Sequence, residues 1–242
     1  MSIIMNVQYS VFSNNRIEPT PDTVNGILAG LNSLGKFVFI PSVIAGQNID
    51  LLAGKVNPVN NISFVTIDQQ AQISCMNDRI DVLINGTNSN QTVSIKEHII
   101  FARQALTMIM ENSHIYSNRL ALNVSLLSDV FNGPVQGTAL GRKLCGTLDF
   151  YGDKSLEEWS SRVNSRSSIT IDNNELLNVI TEISSVFDNA AGKKRFLCHM
   201  DINTIFENSG YRFSSGSLPK FDNEAMKIIV EIKQNFEEAN NG

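Results

Sequence analysis

The chain has no apolar run approaching the roughly 18 residues needed to cross a membrane as a helix. Its opening residues, MSIIMNVQYS, lack the basic start, long apolar segment and small-residue cleavage site of a secretory signal, so a cytoplasmic location is expected. Cysteine is scarce and odd in number. Cys75, Cys145 and Cys198 lie far apart, with no CxxC or Cys/His spacing, which leaves no zinc or disulfide pattern and predicts buried, reduced thiols. Basic charge is also short: 19 Lys and Arg against 24 Asp and Glu give a net charge of −5. Nonspecific nucleic-acid binding rests on cations that neutralise phosphates, so a broad phosphate-tracking surface is not expected. The one tight basic run, Lys193-Lys194-Arg195, falls at an expected hairpin turn. Tyr9, Phe37, Phe39, Phe64, Tyr151 and Phe196 fall mostly in core phase on expected strands. They lack the interleaved cations of a base-stacking sheet.

Asparagine is abundant, with 28 in 242 residues, and it suits a chain with many strand-to-strand turns. That length fits one large domain or two of about 100–120 residues. Val7, Tyr9 and Val11 alternate with polar residues as in a half-buried strand. Thr20-Pro21-Asp22 is a helix start, followed by Val24, Ile27, Leu28, Leu31 and Leu34 at helical spacing, with Gly35 at the end. Residues 36–44 read as a strand placed at an edge by Pro41. A loop containing Gly46 and Gly54 follows, then a meander over Ile62–Asp68, Ala71–Met76 and Arg79–Ile84. Ser94-Ile95-Lys96-Glu97 is a capping box that opens a helix to about Glu111.

In the second half, Leu120, Leu122, Val124 and Leu126 alternate as a strand. Residues 131–146 are glycine-rich and read as irregular. A strand is expected near Leu144–Tyr151, a short helix around Leu156, Trp159 and Val163, and a strand over Ser168–Asp172. Glu175–Phe187 fits either period, and its β-branched residues favour a strand that pairs with Phe196–Ile202. A closing helix spans about Phe221–Glu238. The expectation is an α+β fold of two tandem β-α-β(3-4)-α units, with antiparallel sheets packed on long amphipathic helices. The units are residues 1–115 and 116–242, or one continuous domain.

No motif marks a reaction. His199 and Asp201 share one face of the expected strand, so a carboxylate could orient an imidazole. No nucleophile or metal is marked beside them, so the expected reading is a plain polar strand face, with Cys198 and Met200 in the core. The glycine-rich segment carries Gly133, Gly137, Gly141, Arg142 and Lys143. Its glycines and two cations could receive an anion or partner, although it is neither GxxxxGK(S/T) nor GxGxxG. His98 and His114 have no fixed-spacing partner. No metal and no cofactor are expected.

The order β-α-β-β-β-β-α, read twice, resembles the TATA-binding-protein-like or helix-grip arrangement. The meander Ile62–Ile84, the run Phe196-Leu197-Cys198-His199-Met200-Asp201-Ile202 and a final helix ending Asn235-Phe236-Glu237-Glu238 carry the resemblance. They are similar to a poorly characterised, sporadically distributed bacterial family with tandem units of this kind. The resemblance implies an accessory or interaction role and transfers no catalytic residue. The expected function is a non-catalytic cytosolic module of bacterial or phage origin that binds a protein, and a basic partner would suit the acidic chain. It would act as a regulator, inhibitor or immunity component, with a homodimer possible. One alternative is nucleic-acid binding on a curved sheet, which requires Arg103, Arg119, Arg142, Lys143 and Arg195 to converge. Another is an enzyme built on His199 and Asp201.

Overall fold

A computed structural model describes residues 2–13, 15–50, 54–86, 94–128, 134–145, 154–189 and 192–241. Alternation on the first strand, β1 (Ser2–Phe12), places Val7, Tyr9 and Val11 in the core. Helix α1 (Pro21–Ser33) begins as its sequence dictates: Thr20 Oγ1 accepts from Thr23 N at 3.2 Å, Pro21 occupies the first turn, and Gly35 takes a φ of +71° just beyond the end. An antiparallel meander follows, made of β2 (Phe39–Asp50), β3 (Lys55–Thr66), β4 (Ala71–Cys75) and β5 (Arg79–Asn85). The expected loop around Gly46 and Gly54 is instead the hairpin end of β2 and β3, paired as far as Asp50 and Lys55. Ser94 Oγ accepts from Glu97 N at 3.2 Å and opens α2 (Ile95–Asn112).

The second half continues with β6 (Arg119–Ser128), α3 (Pro134–Cys145), β7 (Ser160–Thr170), β8 (Asn174–Asp188) and β9 (Lys193–Thr204). A short 3-10 turn at Ser215–Ser217 then leads into α4 (Leu218–Asn241). Three expectations change here. Residues 134–145 are helix α3, not an irregular stretch. The short helix expected around Trp159 and Val163 gives way to β7, which begins at Ser160 and takes in the first three residues of the strand expected at Ser168–Asp172. The strand expected near Leu144–Tyr151 is helix at its first two residues, and the rest lies outside the described residues.

The two-unit architecture also requires correction. All nine strands form one antiparallel sheet in the order β2-β3-β4-β5-β1-β6-β9-β8-β7. β1 and β6 pair over ten positions, so no separate sheets sit on their own helices. The physical reason is edge closure. Two separate sheets would leave β1 and β6 each with an unpaired row of backbone N–H and C=O groups beside fully buried apolar side chains. Pairing them removes both edges. A bulge at Met5 interrupts the β1–β6 register, and Gly86 closes against it, donating its N–H to Met5 O at 2.7 Å. A Cβ at Gly86 would fall 1.6 Å from Ile4 O, so the position requires glycine.

The four helices share one face. Tyr9 on β1 meets Phe221 of α4 at 5.8 Å between ring centroids, and Phe39 on β2 stacks with Phe101 of α2 at 6.3 Å. Trp159 meets Phe196 of β9 at 5.6 Å and also lies against Gly141 of α3. The core therefore lies between this face and the helix layer, built on Tyr9, Phe64, Leu106, Phe196 and Phe221, all buried.

Candidate functional site on the bare face of the sheet

No described helix packs on the other face, where the alternate residues of the strands lie, mostly half-buried but buried at positions such as Ser10, Asp81, Ala121 and Asn203. The ladders align them in rows that cross the sheet. One row runs Ile180, Asp201, Asn123, Gln8 and Leu83. The next runs Glu182, His199, Ser125, Asn6 and Asn85. A third runs Asn178, Asn203, Ala121, Ser10 and Asp81. Much of this side-chain polarity is satisfied locally. Ser10 Oγ donates to Asp81 Oδ1 at 2.5 Å, and Arg79 pairs with Asp81 at 2.8 Å.

His199 and Asp201 both lie on this face, half-buried on β9. They do not bond to each other, because each side chain is engaged elsewhere. Asp201 Oδ1 instead accepts from Asn203 Nδ2 at 2.9 Å. His199 Nδ1 lies 3.0 Å from Ser125 Oγ, and Glu182 stands opposite His199 on β8 while accepting from Ser160 Oγ at 3.0 Å. Serine, imidazole and carboxylate thus lie side by side. Acyl transfer also needs convergent N–H donors for an oxyanion. The backbone donors of paired strands are committed to the ladder and lie in the plane of the sheet.

The glycine-rich candidate separates from that face. Gly137, Gly141, Arg142 and Lys143 belong to α3, and Gly133 lies outside the described residues. Gly141 has a packing role: a Cβ there would come within 2.8 Å of the Trp159 indole. Arg142 and Lys143 occupy the last turn of α3, where cations complement the helix's carbonyl end, and Arg142 Nη2 donates to Lys154 O at 2.9 Å.

The five cations required for nucleic-acid binding are dispersed. Arg103 lies in the helix layer, paired with Asp222 at 3.2 Å, and Arg142 and Lys143 are on α3. Arg119 begins β6, whereas Arg195 bonds Ser128 O at the far end of that strand, about 30 Å away. Arg195 is also paired with Asp188 at 2.7 Å.

A different cluster lies at the end of β1 and β6. Phe12, Ser13, Asp78, Asn118, Arg119, Phe206 and Tyr211 line a cleft of about 230 Å³. The Arg119 guanidinium covers the Phe12 ring at 4.9 Å, and its Nε is buried with no hydrogen-bond partner among the described residues. Phe206 and Tyr211 remain 68% and 43% exposed. Periodicity could not reveal this cluster, because its residues come from distant segments. The available signal was compositional: two aromatics in the polar loop FENSGYR, where no apolar pattern would bury them.

Burial pushes the thiols of Cys75 and Cys198 up to about 12, which makes them inert core groups. Cys145 departs from the expected burial and is exposed on α3. His98 is buried in α2. Burial first, then the Lys36 ammonium, lowers its pKa and favours the neutral ring. Among the described residues, no group of three or more His, Cys, Asp or Glu side chains is placed to hold a metal ion. No described helix is long and apolar enough to cross a membrane.

Comparison of the chain with protein-family models and with curated proteins finds no match.

Proposed function

We propose that the chain is a non-catalytic interaction module that binds a protein partner across the bare sheet face, acting as a regulator, inhibitor or immunity-type component. The observation that carries this proposal is the cleft at the end of β1 and β6. Two exposed aromatic rings flank an arginine whose Nε lacks a partner. Aromatic and arginine side chains dominate the anchor points of protein interfaces, and the flanking polar rows suit the hydrogen-bonded surround. Charges on the bare face are largely paired with each other, as in Arg79–Asp81 and Arg195–Asp188. Recognition would then depend on shape and hydrogen bonds more than on long-range steering by the net charge.

The test is co-purification from the native host at low and moderate salt, using the wild-type chain and a Phe206→Ala/Tyr211→Ala double variant. The expected result is a stoichiometric protein retained by wild type and held at least tenfold more weakly by the variant, with thermal unfolding unchanged. Recovery of no specific protein, or equal retention by both chains, would count against the proposal. Nucleic acid that survives moderate salt would replace it.

A further inference from the structure

We propose that β7 is a docking edge where an extended acidic segment of a partner protein adds as a tenth strand. This rests on the interaction-module proposal but uses a different surface. Among the described residues β7 ends the sheet, with β8 as its only neighbouring strand, and nine of its eleven residues are exposed. Its register with β8 is continuous from Ser160–Ser184 to Thr170–Asn174. The C-terminal end of α3 meets the beginning of β7, where Ser161 Oγ donates to Leu144 O at 3.2 Å. From Arg162 to Thr170, no backbone hydrogen bond reaches a described residue outside β8. An unpaired strand edge offers alternating N–H and C=O groups to an extended segment.

The opposite edge differs. β2 carries Pro41, which has no N–H and interrupts the donor row available to an added strand. β7 contains no proline.

Charge selects the occupant. Arg162 and Arg166 lie four residues apart on the bare face, and β7 contains no acidic residue. Arg162 has no side-chain partner among the described residues, whereas Arg166 bonds Asn178 at 3.1 Å and Glu207 at 2.7 Å. Glu182, opposite Arg162, is one strand further in. An added strand would therefore meet Arg162 first, and would reach Arg166 beside its Glu207 partner. Same-face antiparallel pairing with a second copy would set arginines opposite or diagonal to one another in any register overlapping the middle of β7, which disfavours self-association. Carboxylates four positions apart on an incoming strand would face both arginines.

The probe is a capped peptide of alternating valine and threonine, with two glutamates four positions apart. A control peptide carries lysines at those positions. Binding to the full chain is read by fluorescence anisotropy and by amide hydrogen exchange over residues 162–170. The expected result is at least tenfold tighter binding of the glutamate peptide, slowed exchange in that segment, and loss of the preference in Arg162→Glu. That substitution alters an exposed side chain and sets a carboxylate opposite Glu182, a like-charge pair of small cost at this edge. Unchanged cooperative thermal unfolding checks that the fold is kept. Equal binding of both peptides, unchanged exchange over 162–170, or self-association of the chain through β7 would overturn the proposal. Phe206→Ala/Tyr211→Ala should bind the peptide normally, which separates failure of this edge from failure of the cleft.

Discussion

On β1, Val7, Tyr9 and Val11 are sealed beneath the helices, while Asn6 and Gln8, their immediate neighbours, meet no described helix. The same division crosses the central strands. Leu122, Val124, Met200 and Ile202 are fully buried on one side of the sheet, and Asn123, His199 and Asp201 lie half-buried on the other. A strand period of two lets one segment of chain supply cohesion and recognition from consecutive residues. Stability should therefore be concentrated on the covered face. On the bare face only the half-buried positions such as Gln8, Asn123 and Asp201, unlike the buried Ser10, Asp81 and Asn203, should be free to change with little effect on folding.

The largest expected effect comes from opening the covered face. Tyr9 is fully buried against Phe221. Tyr9→Ala should cost about 3–5 kcal/mol, combining lost transfer energy with the cavity left behind. Urea unfolding of the two chains measures the difference. A cost below about 1 kcal/mol would mean that the helix layer does not seal the sheet.

Ion pairs extend the contrast. Arg212 grips both carboxylate oxygens of Glu175 at 2.7 and 2.8 Å, with side chains only 17% and 6% exposed, and also donates to the carbonyls of Asn118, Asn208 and Gly210. Arg166 and Glu207 are equally close at 2.7 Å but are 53% and 42% exposed. Glu175→Ala leaves a largely buried guanidinium without its carboxylate and should cost about 3 kcal/mol. Glu207→Ala should cost less than about 1 kcal/mol, because water already screens that pair. Chemical denaturation of both variants distinguishes the sites. Equal losses would erase the distinction between covered and exposed pairs.

Asp222 tests the covered face through pH. It lies on α4, 4% exposed, close to Tyr9 and Arg103. Burial raises its carboxyl to about 6 against the opposing pull of the Tyr9 hydroxyl and the Arg103 guanidinium. The folded value lies above the ordinary carboxylate value of 3.8, so the folded state favours the protonated form. Its contribution therefore opposes folding above pH 6 and becomes less unfavourable as pH falls from about 7 toward 4. Asp222→Asn mimics the protonated group. It should be more stable than wild type at pH 7.5, by on the order of 2 kcal/mol, and nearly equal near pH 4.5. Urea midpoints at both pH values provide the measurement. A variant less stable at pH 7.5 would show that the Arg103 pair outweighs desolvation.

The covered face was legible wherever burial is one-sided. Val7, Tyr9 and Val11, and Leu120, Leu122, Val124 and Leu126, alternate because one side meets apolar helices and the other does not. The segment Glu175–Phe187 resolves as strand β8. Strand β7 had almost no apolar signature, because SSRVNSRSSIT is an edge exposed on both faces and no burial pattern is imposed on it. Helix α3 was obscured by Gly137 and Gly141, residues that disfavour helix interiors, although the Trp159 indole requires the small residue at Gly141. The single sheet depends on β1 pairing with β6, a contact between distant segments that local patterns do not encode. Likewise, His199 and Asp201 were placed on one face by period alone, but the Ser125 partner of His199 arises from the β6–β9 register.

The smallest expected effect is the most selective test of the comparison. Gln8 adjoins Tyr9 in the chain and is paired across the sheet with Leu83 and Asn123. Gln8→Ala removes a partly exposed amide without opening the core. Its stability change should remain within about 0.5 kcal/mol, the usual range for surface substitutions. Unfolding of Tyr9→Ala and Gln8→Ala under the same conditions should thus differ severalfold in cost. A large loss in Gln8→Ala would place a folding role on the bare face and weaken its assignment as a recognition surface. A negligible loss combined with weaker retention of a protein partner would separate folding from recognition across adjacent residues of one strand.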